Sequence, residues 1–321
     1  MWNIDLTDIK ETMQPIFQRL YEKRGSIELK RPLPNSALQK IKENLSIEWT
    51  YNSNSIEGNT LSLQETRLIL KEGITIKGKS LREHFEAHNH EKAIEYLYRI
   101  VREDYILRSI DILTLHELVM RSIDDDYAGR IRNGGVRISG ANFIPPNASK
   151  VPELLDELIA FVNNNPLGLN DILLATVFHH KFVWIHPFFD GNGRTVRLAM
   201  NLLLMRSGFP PAIILKNDRK KYYEALNHAN QGKYEKLVLL MSQSLERTLN
   251  IYLDVLSEDG AGYQEIASVV NDPEVPYGQE YLSLLARKGK IDAYKEGRNW
   301  LTSKNAVKEY IKNRKRERKL R

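Results

Sequence analysis

The chain has 321 residues, enough for about two domains whose cores need no covalent or metal staples. It contains no cysteine, which excludes disulfides, thiolate zinc sites and cysteine nucleophiles and fits a reducing compartment. Residues 1–5 lack the basic start of a signal peptide, and no stretch approaches ~18 consecutive apolar residues. We therefore expect a soluble, cytoplasmic protein without a membrane partner.

The net charge of +6 is unevenly distributed along the chain. Residues 286–321 contain fourteen Lys or Arg and four Asp or Glu, a net charge of +10, which leaves −4 for residues 1–285. A basic block of this kind indicates either contact with nucleic acid or a solubilising tail, and charge alone does not separate the two.

In chain order, the hydrophobic period of residues 1–250 is mostly helical. Apolar side chains within residues 37–49 recur every three or four positions and form one stripe. Ser62-Leu63-Gln64-Glu65 is a capping-box pattern that predicts a helix to about Lys71, with Gly73 placed to end it. Four further segments have the helical period: residues 83–101, 113–121, 151–163 and 169–183. The fold class is therefore mainly α, with a helical bundle as the core.

Residues 134–149 are the exception. Residues 136–144 alternate apolar and polar side chains around the glycine-centred turn at Gly140, and Pro145 and Pro146 follow. This pattern predicts a β-hairpin, which without a partner would be an ordinary surface hairpin.

A run of twelve residues after the helix predicted at 169–183 combines groups that suit a polyphosphate. A histidine can accept a proton from a hydroxyl at neutral pH, and a carboxylate can hold a hard divalent cation. Glycines let backbone N–H groups approach phosphate oxygens, and arginines neutralise the remaining charge. The run is His186-Pro187-Phe188-Phe189-Asp190-Gly191-Asn192-Gly193-Arg194-Thr195-Val196-Arg197.

This run resembles the defining motif of the Fic family, His-x-Phe-x-(Asp/Glu)-Gly-Asn-Gly-Arg-x-x-Arg, and fills each required position. The flanking residues are also similar to the family, and the resemblance covers roughly residues 40–250. They are Phe178, His179, His180, Ile185, Asn201, Tyr222-Tyr223-Glu224-Ala225-Leu226-Asn227 and Asn230.

The resemblance implies an adenylyltransferase that moves AMP from ATP to a Ser, Thr or Tyr hydroxyl of a protein and releases pyrophosphate. In that assignment His186 deprotonates the hydroxyl and Asp190 binds Mg²⁺ between the α- and β-phosphates of ATP. The backbone of 191–193 holds the phosphate oxygens, and Arg194 and Arg197 neutralise charge. The nucleotide-binding residues implied are Asp190, Gly191, Asn192, Gly193, Arg194 and Arg197.

The resemblance also assigns a role to the predicted hairpin. In the family, a hairpin flap at this place holds the target segment by adding it as an extra strand. The corresponding residues here are Gly140, Ala141, Asn142, Phe143 and Ile144.

A second pattern concerns regulation. Ser53-Asn54-Ser55-Ile56-Glu57-Gly58 matches the Fic inhibitory pattern (Ser/Thr)-x-x-x-Glu-(Gly/Asn), N-terminal to the core as in the family's second class. The same residue types also favour a plain helix end and turn. The resemblance implies that the Glu57 carboxylate pairs with Arg197 and blocks the guanidinium that receives the γ-phosphate. Some relatives use this glutamate to remove AMP, and the sequence leaves that reverse reaction open.

Several residues also have a simpler interpretation. We predict that His116, His179 and His180 are packed core histidines. A zinc site built from His179, His180 and His186 is the weaker alternative, because the chain has neither a His-Glu-x-x-His run nor a Cys ligand. A glycine at 193 argues against the phosphotransferase relatives, which carry lysine there. Tyr222 or Tyr223 either stacks on adenine or packs in the core.

The C-terminal residues form a separate predicted module after a linker at 254–262. A helix is predicted at 263–270, a second at 277–288, two short strands within 289–301 and a third helix at 304–314. Residues 281–291 and 294–301 resemble a winged helix-turn-helix of the excisionase type, whose second helix enters the DNA major groove. Arg287, Lys288, Lys290, Lys295 and Arg298 suit phosphate contact, whereas Glu280 and Glu296 oppose it. Winged modules also bind proteins, so DNA and a protein partner both stay open.

The sequence thus predicts an N-terminal helical region at 1–100 with the inhibitory motif, a catalytic core at 101–253, the linker at 254–262 and a winged module at 263–321. The first functional hypothesis is an autoinhibited adenylyltransferase that uses ATP and Mg²⁺. The second is a DNA- or partner-binding regulator whose Fic core is silent or senses nucleotide. The identity of the target protein is left open, and the target can be the chain itself. The oligomeric state is also left open.

Overall fold

The computed structural model describes residues 4, 6–138, 140, 143–257 and 262–319 and divides the chain into two compact units. The first unit consists of residues 1–5 and 42–238, and the second of residues 6–41 and 239–321. Within the described residues, no helix combines the length and the apolar character that a bilayer crossing requires.

Helices make up most of both units, which confirms the predicted fold class. In chain order, the helices of the described residues are α1 (Thr7–Thr12), α2 (Gln14–Glu28), α3 (Asn35–Ile56), α4 (Leu63–Glu72), α5 (Leu81–Ile100), α6 (Ser109–Met120), α7 (Val151–Asn164), α8 (Asp171–Ile185), α9 (Asn192–Arg206), α10 (Arg219–Ala229), α11 (Glu235–Val255), α12 (Ile266–Val269), α13 (Gln279–Arg287) and α14 (Lys304–Lys319). The strands are β1 (Gln264–Glu265), β2 (Ala293–Glu296) and β3 (Asn299–Thr302).

The predicted helix starting at Ser62 forms as the sequence indicates. The Ser62 hydroxyl accepts from the Glu65 N–H, and the Glu65 carboxylate accepts from the Ser62 N–H. Gly73 ends the helix with a left-handed φ of 65°. Because these contacts satisfy the unpaired backbone groups at both ends, the bounds of α4 follow from local chemistry alone.

Helices α8 and α9 form the centre of the first unit. Nearly every residue of α8 from Ile172 to Phe182 is buried, as expected for a helix that is apolar on all sides. In contrast, α9 buries the polar side chains of Asn192, Arg194 and Arg197 together with its apolar ones. The turn between the two helices contains residues 186–191, so the motif lies in the core of this unit. Gly191, with a left-handed φ of 75°, precedes the first residue of α9, and the helix begins at Asn192.

The predicted hairpin at 134–149 differs from the structure. None of the described residues of this segment belongs to a strand, although Gly140 has the left-handed φ of 77° that a turn requires. Pro145 and Pro146 have no N–H groups to donate to a ladder, which opposes pairing at the end of the segment. Ser139, Ala141 and Asn142, at the centre of the predicted hairpin, lie outside the described residues.

The second unit contains a three-stranded antiparallel sheet in the order β1-β3-β2, packed with α12, α13 and α14 around one apolar cluster. The prediction of a single helix at 263–270 was wrong, because Gln264 and Glu265 pair with β3 and only four residues remain helical. The predicted second helix, the two strands and the third helix all form, and the third continues to Lys319.

Residues 6–41 belong to the second unit, which differs from the predicted N-terminal region at 1–100. Ion pairs on α2 explain this grouping. Arg19 pairs with Glu246 on α11, and Lys23 pairs with Glu246 and with Asp292 just before β2. These contacts join residues more than 220 positions apart, and a local pattern cannot reveal them.

Candidate active site

His186 lies immediately after α8, in a left-handed conformation with a φ of 50°. Its N–H closes the helix by donating to the Phe182 carbonyl at 2.9 Å. A histidine in this region costs about 1–2 kcal/mol, so surrounding contacts must hold it there. Burial lowers the pKa of the imidazole to about 4, with a further lowering by Arg132, which leaves the ring neutral at pH 7.

The turn after His186 is closed by the Asn192 side chain. Its amide donates to the Phe188 carbonyl at 2.8 Å, and its oxygen accepts from the Phe188 N–H at 2.9 Å. The Asn192 side chain is 5% exposed, and the predicted contact of the 191–193 backbone with phosphate stays a prediction. Asn192 therefore shapes the turn that precedes the N-terminus of α9.

Gly191 in the turn and Gly193 in the first turn of α9 both have close neighbours. A Cβ at Gly191 would lie 2.9 Å from the Met120 sulfur and 3.1 Å from the His116 ring, and its φ is left-handed. A Cβ at Gly193 would collide with the Glu57 carboxylate. Both positions bring backbone N–H groups to the start of α9, where the helix dipole favours an anion.

Arg197 is buried and held by residues 53–57. Its Nη1 lies 2.8 Å from Glu57 Oε1, its Nε donates to the Ser53 hydroxyl at 3.0 Å, and its Nη2 donates to the Ser53 carbonyl at 2.8 Å. The Nη1 contact has ion-pair distance but not hydrogen-bond alignment. Burial alone would lower the pKa of Arg197, but the Glu57 carboxylate together with Tyr222 and Tyr223 outweighs it and raises the pKa. The inhibitory pattern and the motif thus meet in this unit.

Arg194 and Asp190 take part in a second set of charges with α5. Arg194 Nη1 lies 3.2 Å from Glu86 Oε1, and Arg194 Nη2 lies 3.5 Å from Asp190 Oδ1. Arg82 donates to the other oxygen of Asp190 at 2.6 Å. Burial raises the pKa of Asp190, but Arg194, the Gly191 N–H and Arg82 more than offset it and lower the pKa. Neither Arg82 nor Glu86 has a local motif that could have identified it.

His116 is buried, as predicted for a core histidine, and it also contacts the motif. The Gly129 N–H donates to Nδ1 at 3.0 Å, which leaves the hydrogen on Nε2, and Nε2 donates to the Asp190 carbonyl at 3.0 Å. The ring stacks on Phe188 with centroids 3.6 Å apart. Burial lowers the pKa of His116 to about 4, so the neutral ring fixes the peptide next to Gly191.

Arg132 is a further residue that sequence reasoning missed. It is 2% exposed, and its guanidinium donates to backbone carbonyls at the start of the motif turn and in residues 134–146. Nε donates to the His186 carbonyl at 2.7 Å, and Nη2 donates to the Pro146 carbonyl at 2.6 Å. Every residue has a backbone carbonyl, so the sequence does not show which carbonyls an arginine will bind, and nothing in it indicated Arg132.

Of the remaining aromatic and histidine candidates, Tyr222, His179 and His180 pack as core residues. Tyr222 is 2% exposed and its hydroxyl lies 2.7 Å from His179 Nε2. His180 bonds to the Tyr234 hydroxyl and to Asn230. Tyr223 is partly exposed and has the Arg219 guanidinium 4.8 Å above its ring. In the part of the chain that the structure describes, no three His, Asp or Glu side chains are grouped to hold a metal, so the zinc alternative has no support.

The segment predicted as a flap presents apolar side chains to solvent. Ile144 is 79% exposed, Phe143 stacks on Trp184 with centroids 6.4 Å apart, and the Asn227 amide donates to the Gly140 carbonyl at 3.4 Å. These contacts connect the described part of the segment to α8 and α10.

The arrangement combines a neutral base, a helix N-terminus and two buried guanidinium groups. Arg194 Nε and Nη1 and Arg197 Nη1 have no aligned hydrogen-bond partner among the described residues. Buried donors without partners are costly, so an anionic oxygen at this place would be stabilised. The site is built to hold an anion beside a group that can accept a proton.

Comparisons with known proteins agree with this geometry. The model of the Fic/DOC family matches residues 106–204. The "Protein adenylyltransferase Fic" of Aedes aegypti is 37% identical over 247 residues, which cover 76% of this chain and 49% of that protein. The chain spans about half the length of the curated relatives it matches.

Solved structures are similar as well. Fic-1 from C. elegans (residues 134–508) superposes with a TM-score of 0.69 and 33% identity, covering 77% of this chain and 73% of that one. A Fic family protein from Desulfovibrio desulfuricans covers 90% of this chain and 96% of its own with a TM-score of 0.62, and at 21% identity it supports the fold alone. The motif, the fold and these relatives together show that the chain belongs to the Fic family.

Proposed function

We propose that this chain is a protein adenylyltransferase that transfers AMP from ATP to a Ser, Thr or Tyr hydroxyl of a protein, and that Glu57 holds it inactive. One observation carries the proposal: neutral His186 lies close to the N-terminus of α9, and the buried Arg194 and Arg197 belong to that helix. The curated relatives named as adenylyltransferases support it.

The proposed roles follow from which atoms are free to act. His186 Nδ1 is buried, so Nε2 is the nitrogen that accepts the proton of the incoming hydroxyl. The hydroxyl oxygen forms a bond to the α-phosphorus, the bond from that phosphorus to the bridging oxygen breaks, and pyrophosphate leaves. Arg194 and the N–H groups at the start of α9 neutralise charge on the α- and β-phosphates. Arg197 receives the γ-phosphate once Glu57 withdraws.

Asp190 fits a magnesium site of the type completed by substrate phosphates. Its carboxylate is half exposed and is ion-paired only with Arg82 and Arg194 among the described residues. Mg²⁺ commonly takes one or two protein carboxylates together with phosphate oxygens, and no cluster of three protein ligands is needed. When bound, the ion would neutralise charge on the phosphates, and the exposed Arg82 would have to leave Asp190.

Glu57 is the proposed inhibitory group and Ser53 its supporting partner. Both bind Arg197 in the structure, Glu57 through its carboxylate and Ser53 through its hydroxyl and carbonyl. A γ-phosphate would compete with Glu57 for the same guanidinium. ATP bound while Glu57 stays in place would therefore adopt a pose unsuited to in-line attack.

The proposed target site is the segment from Gly140 to Ile144, to which an extended peptide would add as a strand. Exposed Ile144 and the Phe143–Trp184 stack offer an apolar surface beside the turn. The target would be another protein or a second copy of this chain, and its hydroxyl would align with His186.

The test uses ATP labelled either at the α- or at the γ-phosphate, with Mg²⁺ and candidate target proteins. The Glu57→Gly variant is compared with Glu72→Gly, which removes an exposed carboxylate at the end of α4. Protein labelled by the α-phosphate alone supports AMP transfer. Label from the γ-phosphate alone would instead indicate a kinase and contradict the proposal. Competition by unlabelled GTP, CTP and UTP would establish the nucleotide preference.

A second candidate function, DNA binding by the second unit, has one supporting observation. Arg287, Lys288, Lys290 and Arg298 are exposed cations of the winged part of this unit, and none of them has an ion pair within the described residues. If all four contact phosphate, affinity for a short duplex should fall with salt with a log–log slope of about −3 to −4. Binding that is absent or insensitive to salt would favour a protein partner for this unit.

A further inference from the structure

Arg132 connects three separate backbone positions around the candidate active site. Its Nε donates to the His186 carbonyl at 2.7 Å and its Nη1 to the Gly134 carbonyl at 2.9 Å. Its Nη2 donates to the Pro146 carbonyl at 2.6 Å and to the Ile185 carbonyl at 3.3 Å. One planar guanidinium thus joins both ends of residues 134–146, here called the flap segment, to the end of α8.

The charge of Arg132 has no acidic partner. Within the described residues no carboxylate lies at ion-pair distance, and only 2% of the residue is exposed. An isolated buried cation is strongly disfavoured unless its donors are satisfied. The carbonyls of Ile185 and His186 are at the C-terminus of α8, where the helix dipole is negative, and they supply that compensation.

The backbone of Arg132 adds a fifth contact in the same place. Its N–H donates to the Pro187 carbonyl at 2.9 Å, directly after His186. The residue therefore binds the chain before, at and after the left-handed His186. Because the backbone is held before and after this strained residue, the direction in which the His186 side chain points is restricted.

We infer that Arg132 is a positioning residue that fixes the base of the flap segment relative to His186, so that a peptide on the flap segment presents its hydroxyl to the imidazole. This inference rests on the proposed function and assigns it a residue outside the motif. Arg132 touches only protein carbonyls, so it acts through His186 and the flap segment and not through the nucleotide.

Only an arginine has this geometry. The guanidinium carries five N–H groups in a planar fork, and four of the contacts above use that fork. A lysine keeps the charge and reaches at most part of the set, while a methionine keeps the length and makes none of these bonds. The series Arg132→Lys and Arg132→Met therefore separates the charge from the fork.

The first experiment measures AMP transfer by both variants in the Glu57→Gly background, together with ATP affinity. We expect the rate of transfer to a protein target to fall by about 10²-fold in Arg132→Met and less in Arg132→Lys. ATP affinity should stay within about threefold, because no nucleotide contact is lost. Transfer that stays at the Glu57→Gly rate in both variants would overturn the inference. A Glu57→Gly parent that itself transfers nothing would count against the proposed function instead.

The second experiment needs no activity and keeps the inference testable in every case. Arg137 is exposed within the flap segment, and Arg102 is exposed in the loop after α5. Because proteolysis follows local opening, trypsin should cleave after Arg137 at least about tenfold faster in Arg132→Met, with cleavage after Arg102 unchanged. Equal cleavage after Arg137 in parent and variant would overturn the inference. If Arg132→Met does not fold, Arg132→Lys is measured in the same way.

Discussion

The buried charges of the two units differ in how completely they are paired. In the second unit, Lys23 uses all three of its donors, on Glu246 at 3.0 Å, Asn250 at 2.6 Å and Asp292 at 2.5 Å. Arg19 contacts both oxygens of the same glutamate. This cluster contains two cations and two anions and holds α2 against α11 and the start of β2.

The first unit has a second charged cluster, formed by Arg194, Arg197 and their carboxylate partners, and this cluster is open because some of its N–H groups lack aligned partners within the described residues. Arg194 and Arg197 are as deeply buried as Lys23, yet each has an N–H group without an aligned partner among the described residues. Of their carboxylate partners, Glu57 and Asp190 are one-third and one-half exposed, and only Glu86, which pairs with Arg194, is mostly buried. A closed cluster stabilises a fold, whereas an open one keeps donors for something that binds later.

The largest expected effect is on catalysis in the open cluster. His186→Ala in the Glu57→Gly background should reduce AMP transfer by about 10²–10⁴-fold, because the hydroxyl loses its base. The control is His88→Ala, a half-buried histidine of α5 outside the motif. Transfer rates of folded protein measured with labelled ATP decide this prediction, and equal rates for the two variants would remove His186 from its role.

The closed cluster should respond in stability and not in chemistry. Lys23→Met leaves Glu246 and Asp292 buried without their shared cation and should lower the free energy of unfolding by about 3–5 kcal/mol. The exposed Lys40→Met serves as the matched control. Urea unfolding curves measure both. A change below about 1 kcal/mol in Lys23→Met would mean that this cluster does not hold the second unit together.

Acid should destabilise the first unit through its buried neutral histidines. Burial lowers the pKa of His116 and of His180 to about 4, below the ordinary value of about 6.5. Between these values the unfolded chain binds more protons than the folded one. Stability is therefore fully present above about pH 6.5 and is lost as the pH falls, by about 2 kcal/mol per histidine at pH 5.

Unfolding free energies at pH 7.5 and 5, for the native chain and His116→Phe, measure this contribution. The variant should lose less stability on acidification than the native chain, since one titrating group is absent. An equal loss in both would show that His116 does not contribute to the pH dependence.

The smallest effect is expected where both partners of a pair face solvent. Glu43 and Lys71 form a 3.0 Å ion pair, and each is about half exposed. Glu43→Gln should change the free energy of unfolding by less than about 0.5 kcal/mol in the same urea experiment. A loss comparable to that of Lys23→Met would contradict the distinction between buried and exposed charges.

The sequence predicted what depends on neighbours in the chain. The capping box at Ser62, the helix end at Gly73 and the turn at 186–191 are local patterns, and each has a corresponding feature in the structure. The likeness of Ser53–Gly58 to an inhibitory pattern pointed to a Glu57–Arg197 pair, and the structure has this contact. The roles assigned to these residues stay predictions.

The contacts that the sequence could not predict join residues that are far apart in the chain. Arg132 and His116 bind carbonyls of the motif turn, and a carbonyl has no identity in a sequence. Glu86 and Arg82 form ion pairs with Arg194 and Asp190, which lie more than 100 positions away in the chain. Strand pairing of Gln264 and Glu265 likewise depends on β3, which a short helical window cannot reveal.

The most direct test of the central claim is the rate of AMP transfer with α-labelled ATP in the native chain, Glu57→Gly and Glu57→Gly with His186→Ala. Because removing the carboxylate frees Arg197 for the γ-phosphate, Glu57→Gly should label protein at least about tenfold faster than the native chain. The double variant should not label protein. Equal labelling by the native chain and Glu57→Gly, or no labelling by any of the three despite ATP binding and supplied targets, would contradict the account.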